Sequence, residues 1–473
     1  MRYVDFQEEY NRIIAAHTEW VSLPKAEKVA KTASIETDYL ELMNHLPSNE
    51  HLLNAYGGFL FQTGRHGLAI VLLSQSLNLN PNNADAWLNF GIVLNTQNQF
   101  ARSRIALQRA LQLDKSNPVI HHMLGKNELD DGDPEVALNH LEYSIMLDPN
   151  YSASKWLKGV AHLYLNNWME GWEGYQLGPR ENMREYEASG QPVPEWTGQK
   201  DIPNLVVYGE QGLGDEILFG TCLRDLRRLL PKTEIVLDVN HRLVPVFQRS
   251  FPDFVVESSD RSDGGGLQYN KPLSYKLGFG SLPYYFRNDS ESFPQITTYL
   301  QYDEGLKNQL SQFYRDGKKP LIGFAWLGGV VETGTMLRSV PLDHFSKLFE
   351  AVPNATWLSL QYQKDISKEL EPYRSKFDII HDQNMIDDID RQMAAIAACD
   401  LVVTVTMSVC DFAGSIGKEC WTLVPSRPLW RFSHKGKHRL WYKSERLFRQ
   451  DRAEEDWVPT IDRVCNELKE RFK

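Results

Sequence analysis

Evenly spaced glycines in the first third of the chain constrain its fold more than any other feature. Glycines recur at positions 57, 91, 125 and 159, and the intervals 91 − 57, 125 − 91 and 159 − 125 are equal. Small side chains let two antiparallel helices approach closely, so this glycine period predicts a stack of helix pairs. A small residue also follows each glycine after twelve positions: Ala69, Ser103, Ala137 and Gly171.

The same register marks the end of each helix pair. Three units end in LNLNPNN, LQLDKSN and IMLDPNY, where Lys115 replaces the proline found at Pro81 and Pro149. Proline cannot continue a helix, so it ends the second helix of a pair. A unit of about 34 residues with these features is typical of the tetratricopeptide repeat. We predict about four repeats over residues 50–183, preceded by capping helices in residues 1–49.

Stacked helix pairs form a curved surface, and many such surfaces bind peptides or proteins. An array of this kind can also dimerise the chain or only support its neighbour, so a homo-oligomer stays an open alternative. The aromatic residues Trp168, Trp172 and Tyr175 are too apolar for a free end of the array. We therefore expect them to pack against the next domain.

Charge and composition exclude several classes of protein. The 473 residues carry a formal net charge of −11, which argues against nonspecific binding to nucleic acid. The five cysteines form no CxxC pair and no metal-ligand spacing, as is typical of reduced cytosolic thiols. The first ten residues lack the apolar segment of a signal peptide, and no window reaches the roughly 18 apolar residues of a membrane span. We expect a soluble, cytoplasmic protein.

The pattern of apolar residues changes after a Pro- and Gly-rich linker, residues 184–203. Short apolar runs then alternate with amphipathic stretches, which predicts parallel strands covered by helices. The alternation breaks at FRNDSESFPQ and restarts at KKPLIGFAWLGG. We therefore predict an α/β region of two Rossmann-like halves, residues 204–317 and 318–473, after the α-helical repeats.

Glycine-rich turns follow the first strand of each half. YGEQGLGDEILFG places Gly212 and Gly214 between a strand and a helix, and Gly328 and Gly329 follow IGFAWL. Ligands of such sheets bind at the carboxyl ends of the strands, so both turns are candidate binding loops. Neither the glycine order of a dinucleotide site nor the Gly-Lys-Ser/Thr of a P-loop is present in the first turn.

Seven segments stand in a fixed order along residues 50–450: NWMEGWEGY, GEQGLGDEILF, LGFGSLP, IGFAWLGG, WLSLQY, AAIAACDLVVTVTMSVCDFAGSIGKECW and WYKSERLFRQ. Together they resemble bacterial tetratricopeptide-glycosyltransferase proteins, whose catalytic half is similar to the heptosyltransferase-like enzymes of the GT-B fold. The resemblance implies two facing Rossmann-like lobes and an inverting, metal-independent transfer of a sugar from a nucleotide-activated donor. It also implies an acceptor, a protein or a glycan, presented by the repeats.

Asp215 is the candidate catalytic base, because the acid of the matching turn in the heptosyltransferases is thought to accept the proton of the acceptor hydroxyl. An Asp at the start of a helix is also a good N-cap, and this alternative stays open. Gly212 and Gly214 would let backbone amides approach an anionic or sugar ligand. Gln211 and Glu216 are candidates for the same acceptor-side loop, with Glu216 as a second possible base.

The resemblance places the donor mainly on the C-terminal half, where cations and helix N-termini must stabilise the charge of the leaving diphosphate. Arg338 is the first candidate cation. The loop RFSHKGKHR, residues 431–439, offers Lys435, Lys437 and Arg439, with a solvated surface loop as the alternative. The other candidate donor contacts, among which Trp326 has a core position as its alternative, are Trp326, Gly328, Gln361, Met407, Ser408, Val409 and Asp411.

One turn departs from the family pattern. Thr406 and Asp411 lie where related enzymes often carry an acidic residue and a histidine. An Asp beside a diphosphate would repel it unless the carboxylate binds a sugar hydroxyl or an Arg. An unusual donor therefore stays open, and so does a noncatalytic scaffold with a degenerate transferase half. The intact GLGDE turn favours the enzyme.

Overall fold

The computed structural model describes residues 3–178, 184–188, 190–259, 267, 269–294, 298–329, 335–363, 366–451 and 456–473. The chain divides into two compact units, Met1–Ala161 and His162–Lys473. The predicted linker at 184–203 includes position 189, which lies outside the described residues, as do positions 179–183 of the predicted repeat region.

The first unit is built from helices that pack in consecutive pairs, α3 with α4, α5 with α6 and α7 with α8. The last helix begins in the first unit and ends in the second. The bounds are α1 Tyr3–Ser22, α2 Lys25–His45, α3 Glu50–Gln62, α4 His66–Leu79, α5 Ala84–Thr96, α6 Phe100–Leu113, α7 Pro118–Asp131, α8 Pro134–Leu147 and α9 Ser152–Tyr164.

Three of the repeated glycines, Gly57, Gly91 and Gly125, lie where the two helices of a pair touch. Each faces a leucine of the second helix, and a methyl group has no room there because protein interiors are close-packed. The helix pairs predicted from the glycine period are therefore confirmed at these three positions. Ideal Cβ atoms on Gly57, Gly91 and Gly125 would lie 2.8, 2.6 and 2.6 Å from Cγ of Leu73, Leu107 and Leu141, respectively.

An asparagine begins the first helix of each of these pairs. The Oδ1 atoms of Asn49, Asn83 and Asn117 each accept a backbone N–H of the following first turn, at 3.0 Å in all three cases. Such caps satisfy donors that have no partner inside the helix. The intervals 83 − 49 and 117 − 83 equal those between the glycines, so the caps are a second signal of the same period in the sequence.

The second unit contains two sheets of mainly parallel strands. The first has the order β5-β4-β3-β6, and the second has the order β12-β13-β11-β10-β7-β8-β9, in which β12 is antiparallel to β13. The predicted linker contains the short antiparallel pair β1 and β2. The strands are β1 Glu187–Ala188, β2 Gln191–Pro192, β3 Asn204–Tyr208, β4 Glu234–Asp238, β5 Val255–Glu257, β6 Lys276–Gly278, β7 Leu321–Ala325, β8 Thr356–Ser359, β9 Asp378–His381, β10 Leu401–Val405, β11 Cys420–Val424, β12 His438–Arg439 and β13 Tyr442–Arg449.

Helices alternate with these strands. All residues of β3, β7, β10 and β11 are buried, as expected of parallel strands covered on both faces. The prediction of helical repeats followed by a region of parallel sheets and helices is confirmed. The helices are α10 Trp168–Tyr175, α11 Leu213–Gly220, α12 Leu223–Leu229, α13 Val244–Ser250, α14 Leu282–Phe286, α15 Glu304–Tyr314, α16 Thr335–Arg338, α17 Leu342–Ala351, α18 Ser367–Arg374, α19 Ile389–Ala398, α20 Ser408–Ser415 and α21 Val458–Arg471.

The strand order of each sheet reverses beside its first strand. In the first sheet β3 lies between β4 and β6, and in the second sheet β7 lies between β8 and β10. Where the order reverses, the connections leave in opposite directions and open a crevice at the carboxyl ends of the strands. The turn after β3 carries the first glycine cluster, and the turn after β10 leads into α20.

The aromatic residues of α10 pack onto the sheet-containing region, as predicted. Trp172 is buried, and its Nε1 donates to the backbone oxygen of Arg287 at 2.7 Å. The rings of Trp172 and Tyr175 both meet Trp430, with centroids 5.5 and 5.6 Å apart. Trp168 stacks on Trp172. These contacts place α10 beside the loop that begins at Trp430.

Candidate functional site

A cleft of about 500 Å³ opens in the second unit at the carboxyl ends of strands from both sheets. The turns after β3 and β4 of the first sheet form one side. The turns after β7 and β10 and the loop after β11 form the other side. The predicted site residues that line it are Gln211, Gly212, Gly214, Asp215, Arg338, Met407, Ser408, Asp411 and Arg439.

The glycines after β3 meet different requirements. An ideal Cβ on Gly214 would lie 3.0 Å from Oδ2 of Asp411 and 3.6 Å from Cα of Ser408. Glycine at this position therefore lets the start of α11 lie directly against the start of α20. At Gly212 the nearest atom would be Oδ2 of Asp215 at 3.5 Å, which is an ordinary contact. Of these two glycines, Gly214 therefore has less room for a side chain.

Asp215 has a helix-capping contact and a charged contact at once. Its Oδ2 accepts the backbone N–H of Gly212 at 3.2 Å, so it contributes to the start of the helix as the N-cap alternative expects. Its Oδ1 forms an ion pair with Nη2 of Arg431. Arg431 also donates to Oε1 of Gln211 at 3.2 Å and lies over the ring of Trp430. A fifth of the Asp215 side chain is exposed, so its carboxylate lies at the wall of the cleft and not beneath it.

A second charged cluster lies at the start of α20. Nη1 of Arg439 is 3.0 Å from Oδ1 of Asp411 and 3.1 Å from Oε2 of Glu445, and all three residues are buried. Burial raises the pKa of Asp411 to about 7, against the opposing effect of Arg439, and Glu445 raises it further. Asp411 is expected to tolerate a nearby diphosphate if its carboxylate binds an arginine. Arg439 is such an arginine. Partial protonation at neutral pH reduces its negative charge as well.

Arginine provides the positive charge of the cleft. Four guanidinium groups line it, against the carboxylates of Asp215 and Asp411: those of Arg242, Arg338, Arg431 and Arg439. Burial, and then the neighbouring Arg431, lowers the pKa of Arg338. Nε of Arg431 and Nη2 of Arg439 are buried and have no hydrogen-bond partner within the described part of the chain. Because buried guanidinium N–H groups are normally paired, these two donors are suited to an anionic or polar ligand.

Seven predicted site residues do not line the cleft, and two of them are the exposed Lys435 and Lys437. Glu216 is buried, and its carboxylate accepts the backbone N–H of Asn240 at 2.8 Å, so it fixes the turn after β4. Val409 is fully buried in α20. The remaining three are Trp326, Gly328 and Gln361.

Trp326 and Gly328 belong to the turn after β7, and Gln361, which follows β8, contacts that turn. Trp326 is buried and stacks on Phe324, so it has the core position that was its alternative. Oε1 of Gln361 accepts the backbone N–H groups of Trp326 and Leu327 at 3.0 and 3.1 Å. Gly328 donates its N–H to the hydroxyl of Ser339. Gln361 therefore holds the turn in shape and leaves the cleft wall to neighbouring residues.

The two ends of the loop at residues 431–439 line the cleft, whereas its middle does not. Lys435 and Lys437 are exposed, whereas Arg431 and Arg439 line the cleft. Arg431 and Arg242 line the cleft although neither is among the residues predicted from the sequence. Arg431 is the first residue of the basic segment RFSHKGKHR, so composition could have indicated it. Arg242 follows β4, and only the position of that strand beside β3 brings it to the cleft.

Comparisons with known proteins match the repeats and extend over most of the chain. Residues 60–126 match the family model described as "Tetratricopeptide repeat". The chain is 26% identical over 431 residues to "Protein FlbA" of Caulobacter vibrioides, covering 87% of this chain and 71% of that protein.

Solved structures also align with part of this chain. The crystal structure of MamA has 20% identity and a TM-score of 0.29, and the alignment covers 32% of this chain and 90% of MamA. PilF of Pseudomonas aeruginosa has 18% identity and a TM-score of 0.32, and the alignment covers 37% of this chain and 76% of the PilF chain. At these TM-scores, the likenesses add nothing to what the helix pairs and the family model show. Among the described residues, no helix has the length and apolar character needed to cross a bilayer.

Proposed function

We propose that the second unit is a glycosyltransferase of the GT-B type, which binds a nucleotide-activated sugar in the cleft between its two sheets. The observation that carries this proposal is the meeting of two switch-point turns at one cleft. The turn after β3 brings Asp215, and the turn after β10 and the loop after β11 bring the cationic groups. Such crevices are the usual ligand sites of open parallel sheets.

The proposed reaction requires one base and a stabilised leaving group. The oxygen of the acceptor hydroxyl forms a bond to C1 of the sugar. The bond from C1 to the diphosphate oxygen breaks, and its electron pair leaves with the nucleoside diphosphate. The proton of the acceptor hydroxyl goes to the carboxylate of Asp215. Attack from the face opposite the leaving group inverts the configuration at C1.

The arginines are suited to the charge of the leaving diphosphate. Guanidinium groups bind phosphate oxygens through pairs of N–H donors, and a partly buried site strengthens these contacts. Arg338 and Arg439 approach the start of α20, whose first turn has no side-chain cap at Met407. We infer that these groups stabilise the diphosphate without a metal ion.

The helical repeats complete the proposal by recruiting the acceptor, a protein or a glycan. Repeats of this type present extended surfaces to their partners. The hairpins of the first unit close around glycine at three equivalent positions, so their surface is regular over at least three repeats.

Binding and turnover of nucleotide sugars test this proposal. Calorimetric titration of the full chain with a panel of nucleoside diphosphates should show binding of at least one of them. Arg338→Ala should weaken that binding about tenfold, since it removes a charge-assisted contact. Release of the diphosphate from the corresponding nucleotide sugars then measures turnover, which Asp215→Ala should abolish. No binding of any member of the panel would refute the proposed donor site.

A noncatalytic scaffold is the second candidate function. The observation that favours it is that Asp215 already has two partners, because Oδ1 is paired with Arg431 and Oδ2 accepts the N–H of Gly212. A chain that binds a nucleotide sugar but never releases its diphosphate, with any acceptor, would support this candidate.

A further inference from the structure

We propose that Arg431 couples donor binding to the release of Asp215. The diphosphate of the donor would draw the Arg431 guanidinium away from the carboxylate, so that Asp215 becomes an effective base only when the donor is in place. This inference rests on the proposed transferase function and assigns to Arg431 a role beyond that of a general cation.

The contacts of Arg431 distinguish it from the other arginine at this end of the cleft. Arg439 is held by two buried carboxylates, those of Asp411 and Glu445. Within the described residues, Arg431 has one carboxylate in ion-pair contact, that of Asp215, which is itself at the cleft wall. A change of partner by Arg431 therefore breaks fewer ion-pair contacts than a change of partner by Arg439.

Arg431 also retains a donor that a new partner would satisfy. Its Nη2 is used by Asp215 and Gln211, while its buried Nε has no hydrogen-bond partner within the described residues. When the guanidinium turns from Asp215 toward a diphosphate, this N–H becomes accessible, and a phosphate oxygen can accept it together with those of the terminal nitrogens. Cζ of Arg431 lies over the ring of Trp430, 5.2 Å from its centroid, and a rotation of the guanidinium about Cζ would preserve this cation–π contact.

The exchange changes the chemistry of Asp215. In the ion pair, the guanidinium of Arg431 occupies Oδ1 of Asp215, the oxygen that the N–H of Gly212 does not bind. Once Arg431 binds the diphosphate, the backbone N–H of Gly212 is the contact that still orients Asp215. The carboxylate then stays in place and can accept the proton of an acceptor hydroxyl. Donor binding would thus precede acceptor activation.

Competition between a carboxylate and a diphosphate for one guanidinium predicts an unusual effect. Asp215→Asn removes the competing charge and keeps the shape of the side chain. We expect this variant to bind the nucleoside diphosphate about threefold or more tightly than the unmodified chain does, although it should lose turnover. The measurement is calorimetric titration of the full chain with the nucleoside diphosphate that the panel identifies.

A double-mutant cycle separates this coupling from a general charge effect. In an Arg431→Ala background, Asp215→Asn should no longer tighten binding. In an Arg338→Ala background, the tightening should persist, because Arg338 directs its Nη1 toward the backbone oxygen of Thr406. If Arg431→Ala does not fold, Arg431→Gln serves in its place.

The outcomes distinguish the inference from the proposed function. Absence of diphosphate binding by the unmodified chain would refute both the donor site and any coupling to it. Binding that Asp215→Asn leaves unchanged or weakens would overturn the coupling alone. Tightening that persists without Arg431 would likewise overturn it, because repulsion by Asp215 would then suffice. Tightening confined to chains that keep Arg431 would support it.

Discussion

Gly214 lies so close to Asp411 that a Cβ at position 214 would approach Oδ2 of that carboxylate to 3.0 Å. This contact joins α11, which follows β3 of the first sheet, to α20, which follows β10 of the second sheet. Asp411 cannot give way easily, because Arg439 holds its other oxygen. The width of the cleft at this point therefore depends on a residue without a side chain.

A methyl group at this contact should disturb the cleft more than one at the neighbouring glycine. We expect Gly214→Ala to weaken binding of the nucleoside diphosphate about fivefold or more, since overpacking displaces surrounding groups. Gly212→Ala is the matched control, because its Cβ would meet Asp215 at 3.5 Å. Calorimetric titration of both variants measures the effect. Equal affinities for the two variants would contradict the prediction.

The repeat glycines allow a similar comparison within one helix. Gly57→Ala would place its Cβ 2.8 Å from Leu73, and we expect a loss of about 1–3 kcal/mol in the free energy of unfolding. The adjacent Gly58 has no atom within 4 Å of an ideal Cβ, so Gly58→Ala should stabilise α3 by up to about 1 kcal/mol. Calorimetric unfolding of the full chain provides the measurement. A destabilisation of equal size in both variants would disprove the role of close packing at Gly57.

The raised pKa of Asp411 predicts a dependence of stability on pH. An exposed Asp titrates near 4, whereas burial raises the pKa of Asp411 to about 7 in the folded chain. Between these values the unfolded chain loses this proton while the folded chain keeps it, so the contribution of Asp411 to stability falls as the pH rises. Above about pH 7 both states are ionised and the fall ends.

Asp411→Asn isolates this contribution, because the amide resembles the protonated acid and does not titrate. The stability of the unmodified chain, minus that of Asp411→Asn, should decrease from about pH 4 to about pH 7 and then level off. The other charged groups that act on Asp411 remain in both chains: Arg439, Glu445, Asp215 and Arg431. Thermal unfolding over a pH series measures the difference. A difference that stays constant would mean that folding does not raise the pKa of Asp411.

Substitutions can show whether the positive charge that binds the diphosphate comes from the lysines of the loop at 431–439 or from Arg242 on the opposite wall of the cleft. Replacing both Lys435 and Lys437 by Ala should change diphosphate affinity by less than about twofold, since exposed charges are screened by solvent. Arg242→Ala should weaken binding several-fold more than the double replacement does, because Arg242 lines the cleft. Titration at one fixed salt concentration compares the two. The opposite order would show that the loop closes over the ligand.

The sequence predicts the larger features of this fold because they rest on local patterns. The glycine period specifies the helix pairs, since each glycine and its leucine lie within one unit. Alternation of apolar runs and amphipathic stretches specifies parallel strands for a similar reason. The capping residues Asn49, Asn83 and Asn117 follow the same period and could have been predicted in the same way.

The site is less predictable, because the end of a strand does not determine where each side chain points. Glu216 and Gln361 lie beside the predicted binding loops. The side chains of both, however, accept backbone N–H groups and do not line the cleft. Lysines in a basic segment suggest a binding loop, while here the arginines at its ends reach the cleft. Arg242 depends on the order of the strands, and composition carries no information about that order.

The asparagines at the starts of α3, α5 and α7 make each repeat self-contained at its first turn. An inserted or deleted whole repeat would bring or remove its own cap together with its own glycine and leucine. No neighbouring helix would be left with uncovered amides by such a change. The length of the array can therefore vary by whole units during evolution while its internal chemistry stays the same.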